Sequence, residues 1–152
     1  MYSIKRTNSD DHDFQSLVAL LDKDLAIRDG ADHSFFAQFN KIASIKHIVL
    51  VYEDTAAVGC GAIKEYEKDI MEVKRMFVLP EKRGRGIASV VLKELEIWAE
   101  ELQYKKCILE TGEKQPEAIR LYIKNEYRII PNYGQYTEVK SSVCFEKELG
   151  SL

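Results

Sequence analysis

Apolar residues recur along the chain with two periods, one typical of helices and one typical of strands. Helical spacing predicts helices over about 11–27, 87–102 and 116–124, and a shorter helix over 32–39. Short apolar or alternating runs predict strands over 2–6, 47–53, 58–66, 70–79, 106–110, 127–130 and 142–147. Gly59 and Gly61 lie inside one of these strands, where glycine indicates a bulge or the close approach of another group. The order β-αα-βββ-α-β-α-ββ predicts an α/β fold of the α+β type, with helices covering a mixed sheet.

A glycine-rich turn, Arg83-Gly84-Arg85-Gly86-Ile87-Ala88, lies between the fourth predicted strand and the helix over 87–102. A strand, such a turn and a helix N-terminus make an anion site, because backbone N–H groups point at the ligand and the helix dipole favours negative charge. Gly84 and Gly86 remove the side chains that would keep a phosphate from the backbone, and the two arginines add charge-assisted contacts. The turn therefore predicts a phosphorylated ligand.

Two common nucleotide motifs do not fit this turn. A P-loop ends in Gly-Lys-Ser/Thr, and a dinucleotide-binding motif carries a third glycine close to the first strand. Here Ser89 stands at the third position after Gly86, and the turn falls past the middle of the chain. The expected ligand therefore belongs to another phosphorylated class.

The composition is that of a globular protein and argues against nucleic-acid and membrane partners. A chain of 152 residues predicts one domain, 1–152, and 45% hydrophobic with 31% charged residues is typical of a soluble globular protein. The net charge of −3 argues against a nucleic-acid partner, including the RNA-binding alternative that the Arg-Gly-Arg-Gly run raises. Neither a membrane span nor a signal-type segment is seen, so a membrane partner is not expected.

The cysteines and histidines indicate neither disulfides nor a metal. Cys60, Cys107 and Cys144 each lie in an apolar, strand-like run, which predicts buried free thiols in a reducing cytoplasm. No Cys/His spacing is typical of a metal site, so no metal is expected.

The glycine turn and the residues that flank it resemble the sequence motifs of a known family. Arg83, Gly86 and Ala88 occupy the fixed positions of Arg/Gln-x-x-Gly-x-Gly/Ala, the pyrophosphate signature of the GNAT N-acetyltransferase superfamily. The run from Lys74 to Pro80 looks like the fourth strand of that family, and the run from Ala118 to Tyr127 resembles its second cofactor motif. The chain thus resembles the GNAT fold over nearly its whole length. That fold has a mixed sheet of about seven strands flanked by about four helices, and its cofactor is acetyl-CoA.

The resemblance implies how the cofactor is held. In the family the fourth and fifth strands splay apart, the pantetheine arm lies between them, and the turn cradles the pyrophosphate. The residues implied are Met76, Phe77, Val78, Arg83, Gly84, Arg85, Gly86, Ile87, Ala88, Gln115, Ala118 and Tyr122. Two positions depart from the family pattern: Gln115 stands where Asn is usual, and Glu126 stands where Gly usually precedes the final aromatic residue.

Acetyl transfer to an amine needs a base for the amine proton and an acid for the leaving thiolate. The resemblance implies Tyr122 as the acid, Glu72 as the base and a backbone N–H, that of Val78, for the oxyanion. Strand alternation would place Glu72 on the same face as Lys74, Met76 and Val78. The alternative for Glu72 is a solvated carboxylate at a hairpin end, paired with Lys74 or Lys64. Other candidate bases are Glu65 and Glu110.

In the family the first two helices and the loop between them cover the site of the acceptor amine, so the residues that bind it are expected there. Asp29 and Asp32 are candidates for binding a cationic amine, and Arg28 and His33 for binding a carboxylate. A capped helix start with core aromatics is the alternative interpretation. The full set of acceptor candidates is Arg28, Asp32, His33, Phe36, Glu110 and Tyr133.

Three functions compete on this basis. The first is a cytoplasmic, acetyl-CoA-dependent N-acetyltransferase acting on a primary amine of a small or amino-acid-like molecule in a ternary complex. The second is a protein or peptide N-acetyltransferase, and the third is a non-catalytic acyl-CoA-binding sensor module. A homodimer is left open, since dimers are common in the family.

Overall fold

The computed structural model of this protein describes residues 2–29 and 45–150. Within these ranges a seven-stranded sheet is flanked by three α-helices. The strands are β1 (Tyr2–Thr7), β2 (His47–Glu53), β3 (Ala56–Glu67), β4 (Ile70–Val78), β5 (Lys106–Gly112), β6 (Arg128–Ile130) and β7 (Ser142–Glu148). The helices are α1 (His12–Asp29), α2 (Ile87–Glu101) and α3 (Pro116–Lys124), and short 3₁₀ turns span Pro80–Lys82 and Gly134–Tyr136.

This arrangement confirms the predicted fold class, a mixed sheet covered by helices. The helix predicted over 32–39 lies outside the described residues, while the single domain over 1–152 and the homodimer stay predictions. Cys60, Cys107 and Cys144 are buried and free, as their apolar surroundings predict. Over the two described ranges, every helix is too short or too polar to cross a bilayer.

The strands run in the order β1-β2-β3-β4-β5-β7-β6, and β4 and β5 are the parallel pair in an otherwise antiparallel sheet. This pair is hydrogen-bonded only from Ile70 to Glu72, opposite Lys106 to Ile108. Beyond that point the two strands separate, as the resemblance implies. Their separation leaves backbone groups of both strands facing a gap in the middle of the sheet.

Two apolar cores lie on opposite faces of the sheet, as the alternation of side chains along each strand requires. On one face α1 packs its apolar stripe against β2, β3 and β4, with a core of Phe14, Leu17, Val18, Leu21, Ile48, Leu50, Cys60, Ala62 and Phe77. On the other face α2 and α3 pack against the alternate residues, including Val49, Val51, Ile63, Met71, Val73, Val78, Ile87, Val91, Leu95 and Tyr122. We call these the α1 face and the α2 face.

The two glycines of β3 lie beneath α2. A Cβ on Gly61 would come within 2.6–2.9 Å of Met76, Val91 and Leu95, and one on Gly59 would come within 2.8 Å of Ile87. The sequence predicts a bulge or the close approach of another group, and the structure shows both: the β2–β3 register shifts beside Gly59, and α2 approaches both glycines. The missing side chains let α2 settle on the sheet, which fixes where its N-terminus begins.

A β-bulge interrupts β4 at Arg75. Cys60 pairs with Phe77 and Ala62 pairs with Lys74, so Arg75 and Met76 together oppose the single residue Gly61. Arg75 has a φ of 58°, which is unusual for a residue with a side chain.

The bulge reverses the alternation that the sequence predicts for β4. Val73, Met76 and Val78 pack on the α2 face, whereas the Arg75 side chain pairs with Asp22 of α1. The expectation that Glu72 shares a face with Met76 and Val78 is therefore wrong, because it assumes a regular strand.

The end of α3 explains one departure from the family pattern. Glu126 has a φ of 72°, a conformation that favours glycine and commonly ends helices. Just before it, the Asn125 side chain donates to Ser89 Oγ at 3.1 Å and so ties α3 to the first turn of α2. The position needs the left-handed backbone whether or not glycine supplies it.

Candidate active site

A cleft of about 540 Å³ opens where β4 and β5 separate. It reaches from α1, through the gap in the sheet, to the N-terminal ends of α2 and α3. Among the residues predicted from sequence it brings together Glu72, Met76, Phe77, Val78, Arg83, Gly84, Gly86, Ile87, Ala88, Glu110, Gln115, Ala118 and Tyr122.

Two other candidates do not line this cleft, and four fall outside what the structure describes. Arg85 is half exposed and pairs with Glu53 at 3.8 Å, and neither it nor Tyr133 is among the residues that line the cleft. Asp32, His33 and Phe36 lie outside the described residues, as does the side chain of Arg28.

The glycine turn shapes the anion-binding end. Gly84 and Gly86 both have a φ of 82°, and Gly86 immediately precedes α2. A Cβ at either position would have no atom of the described structure within 4 Å, so each would project into open space. Because no side chain in the described ranges caps α2, its first backbone N–H groups are left for an anionic ligand.

Arg83 is held against β4. Its Nε donates to the carbonyl oxygen of Val78 at 2.9 Å, and its guanidinium lies 5.5 Å from the ring centre of Phe77. The side chain therefore fixes the turn to the end of the strand, and the position of the turn depends on it.

Three cations that sequence reasoning did not assign also line this end of the cleft: Lys82, Arg120 and Lys124. Lys82 belongs to the 3₁₀ turn before the glycines, while Arg120 and Lys124 are one helical turn apart on α3. Their i, i+4 spacing is a signal that the sequence carried. With the turn they make this end suited to a ligand of several negative charges.

Tyr122 lies deep in the cleft on the α2 face. It is 6% exposed, and its ring packs against Tyr127 and Phe145 at centroid distances of 5.9 and 5.7 Å. Burial raises the pKa of its hydroxyl, and the negative charge of Glu110 raises it further. The hydroxyl therefore stays protonated at neutral pH and is available as a donor.

Glu72 projects from the α1 face of the sheet, the face opposite to that of Met76 and Val78. It is 8% exposed, accepts a hydrogen bond from the Tyr133 hydroxyl at 2.7 Å, and lies 3.8 Å from Lys74 Nζ. Pairing with Lys74 agrees with the alternative stated for Glu72, but its burial does not agree with a solvated carboxylate. Glu72 is thus an enclosed carboxylate that lines the cleft.

Further polar groups surround Glu72. Ser142 Oγ donates to Glu110 at 2.6 Å, and Tyr136, 2% exposed, lines the cleft beside them. Burial lowers the pKa of Lys74, although the charges of Glu72 and Glu110 act against that shift. Burial and the same two carboxylates raise the pKa of Tyr136. The sequence named Lys74 only as a partner of Glu72, and named Tyr136 only within a loop that could wall the acceptor site. Lys74 lines the cleft from β4, and the fold of the loop between β6 and β7 brings Tyr136 to it.

Known acetyltransferases are similar to this chain in sequence. The sequence model of the Acetyltransferase (GNAT) family matches residues 12–127. A protein described as IAA acetyltransferase, from Azospirillum brasilense, is 39% identical over 93 residues, which cover 60% of this chain and 61% of that protein. Alignments with the first three curated relatives span between 46% and 61% of those proteins' lengths.

Solved structures agree over almost the whole chain. A Klebsiella pneumoniae protein assigned to the acyl-CoA N-acyltransferases superposes with a TM-score of 0.81 at 28% identity, covering 98% of both chains. A GNAT family acetyltransferase of Elizabethkingia anophelis, solved with acetyl-CoA bound, gives a TM-score of 0.72 at 18% identity, covering 97% of this chain and 98% of that one. The expected enzyme class, an acyltransferase, and the expected donor, acetyl-CoA, are those of the family. By the match over residues 12–127 and this agreement of fold, the chain belongs to the Acetyltransferase (GNAT) family.

Proposed function

We propose that this protein is an acetyl-CoA-dependent N-acetyltransferase, in which a primary amine attacks the thioester directly in a ternary complex. The observation that carries the proposal is the passage of one cleft through the sheet. An uncapped helix N-terminus lies at one end, and enclosed carboxylates lie on the other side of the gap. Such a cleft can hold a phosphorylated donor and an amine on opposite sides of β4.

The donor end fits coenzyme A in charge and in shape. The N–H groups from Gly84 to Ala88 would receive the pyrophosphate, with Lys82, Arg120 and Lys124 around them. Beyond Glu72 the backbone of β4 is not paired with β5, so its groups near Met76 to Val78 can hydrogen-bond an extended pantetheine arm. When bound, acetyl-CoA supplies an acetyl group activated as a thioester.

Glu72 and Tyr122 would perform the proton transfers. The amine nitrogen would add to the acetyl carbonyl carbon, the carbon–sulfur bond would then break, and Glu72 would take the proton that the nitrogen loses. Tyr122 donates its proton toward the departing sulfur, and burial keeps its hydroxyl protonated for that purpose. A backbone N–H of β4 would stabilise the oxyanion.

The acceptor would lie on the α1 face beside Glu72, Glu110 and Tyr136. Carboxylates in an enclosed site favour a cationic or amine group, and this charge pattern supports an amine acceptor. The Tyr133 hydroxyl donates to Glu72, and this contact supports a place for the loop between β6 and β7 on the acceptor side.

A thiol-release assay with acetyl-CoA tests the proposal, using a panel of amines, amino acids, polyamines and peptides. Calorimetric titration of acetyl-CoA runs beside it. We expect binding together with turnover on at least one amine, and we expect Glu72→Gln to bind acetyl-CoA with little turnover. Tight binding without release across the whole panel would favour the sensor module, and an absence of binding would refute the assignment of the turn.

A further inference from the structure

The side chain of Arg75 is buried at the bulge of β4. It is 1% exposed, and its Nη2 donates to Asp22 Oδ1 of α1 at 2.6 Å. Asp22 itself is 55% exposed, so much of its charge is shared with solvent. One partly solvated carboxylate is weak compensation for a guanidinium that has been removed from water.

Two donors of this guanidinium have no partner in the part of the chain that the structure describes. Nε and Nη1 of Arg75 have no hydrogen-bond partner within residues 2–29 and 45–150. Buried polar groups are nearly always hydrogen-bonded, and a guanidinium cannot shed its charge to relieve the cost. Free donors on a buried, permanent cation therefore point to an anionic ligand.

Arg75 also lies where an acceptor would meet it. It lines the cleft together with Leu21, Asp24 and Leu25 of α1, which bracket its partner Asp22 in sequence. The bulge turns its side chain to the α1 face, away from Met76 and Val78. It is thus on the acceptor side of β4, next in sequence to Lys74 and three residues from Glu72.

We infer that Arg75 binds a carboxylate group of the acceptor, so the acceptor is an amino acid or an amino-acid-like carboxylate. This inference rests on the proposed function. Carboxylate oxygens are matched acceptors for guanidinium N–H groups, and a charge-assisted bond there is stronger than a neutral one. Glu72 and Arg75 are three residues apart on β4, and both line the cleft from the α1 face. Their two side chains can therefore receive the amine and the carboxylate of one small molecule.

Pairs of ligands that differ only in the carboxyl group test the inference. N-acetylglycine and N-acetylglycinamide, which stand for the product and its neutral analogue, are titrated by calorimetry with and without coenzyme A. We expect the acid to bind about 10- to 100-fold more tightly than the amide. Arg75→Gln should abolish that difference, and Arg75→Lys, which keeps the charge but not the planar group, should restore part of it.

Asp22→Asn is the second variant, since Asp22 is exposed and its loss should not prevent folding. Because Asp22 competes for the Arg75 guanidinium, we expect this variant to bind N-acetylglycine a few-fold more tightly. Weaker or unchanged binding would count against the inference. Circular dichroism and thermal unfolding check that each variant is folded.

Turnover separates this inference from the proposed function. Thiol release is compared for amino acids and for the corresponding amino-acid amides. Equal rates on acids and amides, or a preference for acids that survives Arg75→Gln, would refute the role of Arg75 and leave the transferase intact. Discrimination between the two N-acetyl compounds without any turnover would keep the carboxylate site and refute the transferase.

Discussion

Replacing Gly86 with alanine would test the anion-binding end of the cleft. The added Cβ would meet no atom within 4 Å among the described residues, so the change causes no clash. The φ of 82° costs an alanine about 1–2 kcal/mol, and the smaller entropy loss of alanine returns about 0.5–1 kcal/mol. We expect a net loss of up to about 1.5 kcal/mol in the free energy of unfolding, or up to about 6 °C in Tm.

The loss of affinity for acetyl-CoA should be larger. The Cβ would occupy space that a phosphate must enter to reach the first N–H groups of α2. Losing one charge-assisted hydrogen bond costs about 1.5–3 kcal/mol, which is about 10- to 150-fold in Kd.

Gly150→Ala is the matched control. Gly150 has a φ of 65°, its added Cβ would make only ordinary contact with Glu100 at 3.9 Å, and it does not line the cleft. This variant should show a similar loss of stability with an unchanged Kd, measured by calorimetry. If Gly86→Ala bound acetyl-CoA as tightly as Gly150→Ala does, the pyrophosphate assignment would be wrong.

Four further predictions concern single residues. Glu72→Gln should lower kcat most at low pH, where more of the amine is protonated, and a pH–rate profile identical to that of the wild type would exclude Glu72 as the base. Tyr122→Phe should lower kcat by roughly 100-fold while changing the Kd of acetyl-CoA little, and an unaltered rate would exclude Tyr122 as the acid. Glu126→Gly should raise the free energy of unfolding by up to about 1.5 kcal/mol in urea titrations, because its φ of 72° suits glycine; a loss of stability would contradict this. Hydrogen bonds from Lys106 and Arg128 lower the pKa of Glu146 below the unfolded value of 4.5, so its contribution is present above that pH and disappears as pH falls through the folded pKa. Glu146→Gln should therefore cost about 1–2 kcal/mol at pH 7 and little at pH 3, and the exposed Glu148→Gln should cost little at either pH.

The elements and the donor end could be predicted because their signals are local. The predicted helices and strands in the described ranges match the observed ones within a few residues, since the periods of apolar positions are set by nearby packing. The glycine turn was found because its conformation demands glycine, and Gly84 and Gly86 both have positive φ.

What the sequence could not predict depends on long-range or irregular structure. Arg75 takes a positive φ although it is neither glycine nor asparagine, so nothing in the residue type marked the bulge. Tyr133 reaches Glu72 across 61 positions of sequence, and that contact depends on how the loop between β6 and β7 folds back. Both features shape the proposed acceptor side, which is why the acceptor candidates from sequence were the least complete.

The bulge at Arg75 divides the side chains of β4 between two faces that can be changed independently. Substitutions at Glu72, Lys74 or Arg75 alter side chains on the α1 face, while Met76 and Val78 keep their contacts with α2. A library randomised at Lys74 and Arg75, with Glu72 kept as the proposed base, can therefore explore new acceptors without disturbing the contacts of Met76 and Val78 with α2. Deleting Arg75 would instead remove the extra residue of the bulge and leave a regular strand, with Met76 and Val78 still on the α2 face. The bulge thus adds the Arg75 side chain to the α1 face without moving the apolar residues that follow it.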